Sequence, residues 1–222
     1  MAPVLSSSLE QKFLQHCSPT FAKIKASSLF KLSFKSLSEK HKLEAELRSL
    51  TQLLDSQGFK LFILQTTQKY IQVLLYHHAL LEQLLQKAEI KQFLASYSYH
   101  YKNSNEALEQ LKMRVHRSKS FPHEIGVFLA YPLNEVQAFI QHHSCPQAAS
   151  HNSPVCAGAW RVFCDKNASE RCFMRYRRCT RCLCELHLQG HDLSLLIACA
   201  RKAKGSPLAI YHLLQEKSKL AL

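Results

Sequence analysis

The stretch FKLFILQTTQKYIQVLLYH (residues 59–77) decides between an all-helical chain and a mixed one. Two short apolar runs, 59–65 and 70–77, flank the polar TTQK, and that pattern reads as the two strands of a hairpin. On its N-terminal side, SEKHKLEAELRSLTQLLDSQG places Leu43, Leu47, Leu50 and Leu54 on one helical face. Ser38 is its expected N-cap and Gly58 its stop. The first forty residues, rich in serine and lysine, predict one short helix and then an irregular segment. On the C-terminal side, ALLEQLLQKAEIKQFLASY and NEALEQLKMRVHRS are helical by apolar spacing, with a break near YHYKNSN. AWRVFCD reads as a third short strand. ASERCFMRYRRCTRCLCELHLQG and DLSLLIACARKAKG are helical, ended by Gly190 and Gly205, and SPLAIYHLLQEKSKLAL adds a weak helix. The fold class that follows is α+β, predominantly helical, with a small antiparallel sheet made of the hairpin and a third short strand. The expected divisions are an N-terminal segment (1–38), an α+β core (39–189) and a C-terminal helical extension (190–222). QHHSCPQAASHNSPVCAG is the expected linker.

Composition narrows the class further. The 222 residues can bury a full core, and 46% hydrophobic with 20% charged residues is ordinary for a globular protein. No apolar run approaches the roughly 20 residues needed to span a bilayer, and the N-terminus lacks a secretory pattern. A cytoplasmic location is therefore expected. The nine cysteines are an odd number, which in a reducing compartment reads as free thiols, metal ligands or redox groups. A formal charge of +13 favours an anionic partner: an acidic protein, an anionic ligand or nucleic acid.

The most sharply patterned stretch is SFPHEIGVFLAYPLNEVQAFI (residues 120–140). Ser120 can cap a helix that Pro122 starts and Glu124 favours through the helix dipole; Tyr131–Pro132 breaks it, and a second helix carries Val136, Phe139 and Ile140 inward. The spacing overlays a helix-turn-helix, with Gly126 at the crossing and Ala130 in the turn. The chemistry fits DNA poorly. The would-be reading helix offers Asn134 and Gln137 to bases but no Arg or Lys to phosphates. Alternatively, His123 beside Glu124 is a candidate acid–base or ligand group, held neutral by the helix N-terminus. There is no GxGxxG, no phosphate-binding glycine loop and no GxSxG, so nucleotide-dependent and serine-hydrolase chemistry lack support.

Late in the chain, Cys179 and Cys182 form a CxxC with Cys184 and His187 close by, but inside a continuous helical pattern rather than a zinc knuckle. Cys172, Tyr176, Cys179 and Leu183 share one helical face, so packing is the plain reading. Against it, Arg175, Arg177, Arg178 and Arg181 crowd the thiols, and positive charge favours thiolate. The same arginines form a candidate docking patch for an acidic partner such as a small electron carrier.

Three segments, HCSPTFAKIKASSLF, FPHEIGVFLAYPLNEVQAFI and CAGAWRVFCD with FMRYRRCT, together resemble the bacterial domain of unknown function 3793 family (DUF3793) of anaerobes, over residues 14–180. The matching positions include His16, Cys17, Ser18 and Pro19; Phe121, Pro122, His123, Glu124, Gly126, Tyr131, Val136 and Phe139; and Cys156, Gly158, Trp160, Tyr176 and Cys179. Ala130 departs from the glycine usual there, and the linker before Trp160 is longer. The family has no established activity. The resemblance puts Cys17, Cys156 and Cys179 at motif positions, where with His16 they form a candidate zinc or iron centre. His123, Glu124 and Tyr131 form a candidate cofactor site. A tetrapyrrole is a remoter expectation, because His16–Cys17 and Cys145–Pro146 offer axial donors without an attachment motif. The functional expectation is metal, thiol-redox or cofactor handling, with a DNA-associated regulator or a basic adaptor as alternatives; no reaction is named.

Overall fold

The computed structural model describes residues 6–117, 121–144 and 154–219, with side chains to residue 216. The Ser120 cap and Cys145 lie outside them. Among the described residues the chain is α+β and mainly helical, 62% by residue, with a three-stranded antiparallel sheet and a separate two-stranded hairpin. It divides into two compact units, Met1–Leu80 with Tyr176–Leu222, and Leu81–Arg175.

The first unit holds the sheet. Helix α1 (Ser7–Phe21) precedes β1 (Ser27–Ser33), helix α2 (Leu37–Asp55) follows, and β2 (Phe59–Thr66) and β3 (Tyr70–His77) form the hairpin. The strand order is β1-β3-β2, with Phe30 opposite Val73 and Leu61 opposite Leu75. Strand β3 is central and buried from Ile71 to His77, which explains its near-continuous apolar run: both faces are covered. A bulge between Ile63 and Gln65 breaks the β2 register.

Three sequence expectations change here. The segment read as irregular is β1, and the N-terminal helix is a full 15 residues with Pro19 inside it. Helix α2 starts two residues early, capped by Ser36, whose hydroxyl accepts from the Glu39 amide at 3.2 Å. The third strand of the sheet is therefore β1, while AWRVFCD contributes to the separate hairpin. Leu47, Leu50 and Leu54 of α2 are buried as the spacing requires, and Leu43 is partly so. Phenylalanines meet edge to face around the sheet, Phe13 on Phe30 at 5.0 Å and Phe21 on Phe59 at 5.5 Å.

Helices α3 (His78–Leu85) and α8 (Lys166–Leu188) pass from one unit into the other, and α9 (Leu193–Lys202) and α10 (Pro207–Lys219) complete the first unit. Asp192 caps α9 by accepting from the Ser194 and Leu195 amides. Cys179, Cys182, Leu183 and Leu186 of α8 join the same apolar cluster as α1, α2 and α9.

The second unit contains α4 (Ala88–Ala95), α5 (Ser104–Arg117), the single-turn α6 (Ile125–Phe128), α7 (Leu133–Ser144) and the hairpin β4 (Cys156–Ala157) and β5 (Arg161–Val162). ALLEQLLQKAEIKQFLASY is two helices, broken at Gln86–Lys87 without proline or glycine.

Candidate functional site

The helix α6 is short because its end is built to turn. The Tyr131 amide donates to the Gly126 carbonyl and the Ala130 amide to Val127, both at 2.9 Å, which is the Schellman arrangement. Ala130 takes the left-handed position, with φ +56°. That backbone is the physical reason a glycine suits this site in the sequences the chain resembles. The turn lays α6 across α7 at Gly126, where an added Cβ would come within 2.8 Å of Val136 Cγ2 and 3.3 Å of Tyr131.

Opposite this crossing the turn of the second hairpin presents Trp160. Gly158 makes that possible: a Cβ there would fall 2.3 Å from the Phe173 ring. Trp160 consequently stands edge-on to Phe173 at 4.6 Å and tilted against Tyr131 at 5.2 Å. Phe139 of α7 stacks on His143 at 4.0 Å and meets His123 edge-on at 5.1 Å. The rings of His123, Tyr131, Phe139 and Trp160 border a cavity of about 210 Å³, lined also by Phe121, Pro122, Ile125, Glu135 and Arg161.

Two buried carboxylates hold its frame. Glu135, 2% exposed, accepts from three successive amides: Phe163 at 2.6 Å, Cys164 at 3.1 Å and Asp165 at 3.0 Å. Those amides immediately precede α8, so α7 is tied to the positive end of that helix. Glu124, also 2% exposed, takes Arg114 Nε at 2.6 Å and the Tyr99 hydroxyl at 3.2 Å, while Arg114 Nη1 donates to the Tyr97 carbonyl at 3.0 Å. Glu124 therefore serves the frame and does not line the cavity.

Two titratable side chains of the cavity wall, His123 and Tyr131, are uncharged at neutral pH. Burial lowers the His123 imidazole below its ordinary value, with His143 adding to the effect and Glu124 opposing it. Burial pushes the Tyr131 phenol up to about 12. Two buried nitrogens, Trp160 Nε1 and His142 Nδ1, have no hydrogen-bond partner among the described residues.

The other predicted residues fall as follows. Cys17 and Cys179 are both wholly buried in the first unit, where the Cys179 thiol approaches the Ser18 carbonyl at 3.6 Å. Burial raises the Cys17 thiol well above its ordinary value, and raises Cys182 to about 11, with Glu185 adding to it. Burial and Glu185 thus keep the Cys182 thiol protonated, and the group acting against them is the Tyr211 side chain rather than any of the arginines. His16 faces outward and stacks on Phe30 at 5.0 Å, away from its neighbour Cys17. Cys156 is half-buried in β4, in the second unit. Among the described residues no three His, Cys, Asp or Glu side chains are grouped to hold a metal ion. Asn134 and Gln137 are exposed on α7, as are Arg175, Arg177, Arg178 and Arg181 on α8. No helix among the described residues is long and apolar enough to cross a membrane.

The reading of single residues missed Trp160, Arg161, Phe139 and Glu135 as parts of one site. One signal was available: Trp160 is the only tryptophan in the chain, and it lies beside a glycine two positions away.

Residues 13–197 match the family model described as a protein of unknown function, DUF3793, and the chain belongs to that family. No curated protein and no solved structure matches it.

Proposed function

We propose that this DUF3793 member binds a small planar ligand, a cofactor or a comparable ring compound, in the aromatic cavity of its second unit. One observation carries the reading. Phe121, Pro122, His123, Gly126, Tyr131, Val136 and Phe139, which bear the middle segment of the family resemblance, line the same cavity as Trp160 from the late segment. Residues needed only for packing would fill that space rather than surround it. A concave, mainly apolar site with a few polar groups is the usual form of a small-molecule site. Its 210 Å³ is small in that class; a dry cavity of roughly 150 Å³ already takes benzene, so one or two fused rings fit here.

The buried thiols support this reading better than a thiol-redox one, since burial suppresses the thiolate that such chemistry needs. Helix α7 likewise supports a cavity wall better than a DNA-reading element, having no Arg or Lys among its residues. A second reading concerns the exposed Arg177, Arg178 and Arg181 of α8, which form no ion pair among the described residues and suit an acidic protein partner.

Trp160 supplies the test, because as the sole tryptophan it reports the cavity alone. Titration with a panel of one- and two-ring compounds should change its emission, with dissociation constants of about 1 mM or tighter for the best members. Ligand-observed NMR of the same panel should place the bound rings near aromatic protons. No binding by any member in either measurement overturns the proposal.

A further inference from the structure

We infer that the occupant of this cavity is an aromatic carboxylate, its ring held among the aromatic walls and its carboxylate taken by Arg161 and the Trp160 N–H. The inference rests on the reading of the cavity as a ligand site. Two neighbouring groups point to it independently. Trp160 Nε1 is a buried donor without an acceptor among the described residues, and an indole N–H can only donate. A buried donor left in that state is costly unless something arrives to accept from it. Arg161, the next residue, lines the same cavity from an exposed position and forms no ion pair among the described residues. A guanidinium beside an apolar ring site selects a planar anion, because its fork matches the two oxygens of a carboxylate.

The one acidic residue in the lining does not oppose this. Glu135 accepts from three backbone amides at the start of α8, so its charge is answered inside the protein. His123 and Tyr131 are neutral at pH 7, which leaves Arg161 as the charge that an incoming ligand meets. The size of the cavity limits the ligand to one or two rings with a small acid group.

The test is calorimetric titration of the full chain with quinoline-2-carboxylate and with its neutral analogue quinoline-2-carboxamide. The carboxylate should bind at least tenfold tighter, and added salt should narrow the gap. Arg161→Met, or Arg161→Gln as a second neutral form, should bring the two within about twofold, chiefly by weakening the carboxylate. Trp160→Phe should weaken the carboxylate by several-fold and keep the ring bound. Equal binding of both compounds to the native chain, or a carboxylate preference that survives loss of Arg161, overturns the inference and leaves the cavity a ligand site. Failure of both compounds to bind, together with an inert panel, overturns the underlying reading as well.

Discussion

The two units bury similar side chains to opposite ends. In the first, Phe13, Phe21, Phe30 and Phe59 close against one another, and Cys17, Cys179, Cys182 and Cys199 fill the spaces around leucines. In the second, Tyr131, Phe139 and Trp160 stand around a space that no side chain fills. Polar burial differs in the same sense. The buried polar groups of the first unit are hydroxyls, Gln72 and His77, whereas both buried carboxylates among the described residues, Glu124 and Glu135, are in the second. Apolar walls alone tend to collapse on a void, since unfilled volume forfeits contact. Directional ties to Arg114, Tyr99 and three amides hold the walls where packing would not. A closed core needs shape; a hollow one needs anchors.

The sharpest way to break that contrast is to cut one anchor. Glu124→Ala strands the Tyr99 hydroxyl and removes the partner of Arg114, which should cost the second unit about 2–4 kcal/mol. Urea unfolding followed by Trp160 emission should shift to lower denaturant, while far-UV circular dichroism keeps a transition from the first unit near its native position. Coincident shifts in both signals would mean that the two units unfold as one.

A smaller effect isolates the first unit through pH. His77 at the end of β3 packs against Phe59 at 5.2 Å and accepts from the Leu80 amide at 3.4 Å. Burial lowers its imidazole to about 4, and Lys23, Arg201 and His78 push in the same direction. The unfolded chain takes up the proton near 6.5 and the folded chain only near 4. Stability from this group is therefore full above pH 6.5 and is lost as pH falls toward 4. Allowing for solvent screening, the loss is on the order of 1–2 kcal/mol. His77→Gln should flatten that slope in thermal melts between pH 7 and 4.5. An unchanged slope would assign the acid sensitivity elsewhere.

The smallest effect tests the turn that shapes the cavity. Ala130 pays the left-handed penalty at φ +56°, and Ala130→Gly relieves it against the greater entropy of glycine. The net gain should be about 0.5 kcal/mol in the second unit, read as a higher Trp160 midpoint. A loss instead would mean that the alanine methyl packs in a way the turn geometry does not require.

How much was legible in the sequence varied with the range of the interaction involved. The hairpin at 59–77 and the leucine face of α2 depend on period alone, and both stand as the pattern implies. Strand β1 was missed because SSLFKLS is short, polar and carries an edge lysine, so only its pairing with β3 makes it a strand. The crossing at Gly126 was visible as a small residue at helix-turn-helix spacing, yet the function that spacing suggests belongs to longer helices than the single-turn α6. His123 and Tyr131 were singled out and do line the cavity; Glu124 was singled out with them and faces Arg114 instead. The difference between neighbours 123 and 124 is a rotation of one residue, which no motif encodes.

The sequence by itself determined the class, the family, the hairpin, most helices and the basic balance of this protein, because periodicity, composition and motif spacing are local or additive properties. Tertiary structure alone decided that Cys17 and Cys179 are wholly buried in the first unit while Cys156 is half-buried in the second, that Trp160 meets Tyr131 from almost thirty positions away, and that the space between them stays open. Burial, ring contact and empty volume are relations among distant side chains, and the chain acquires them only when its elements pack.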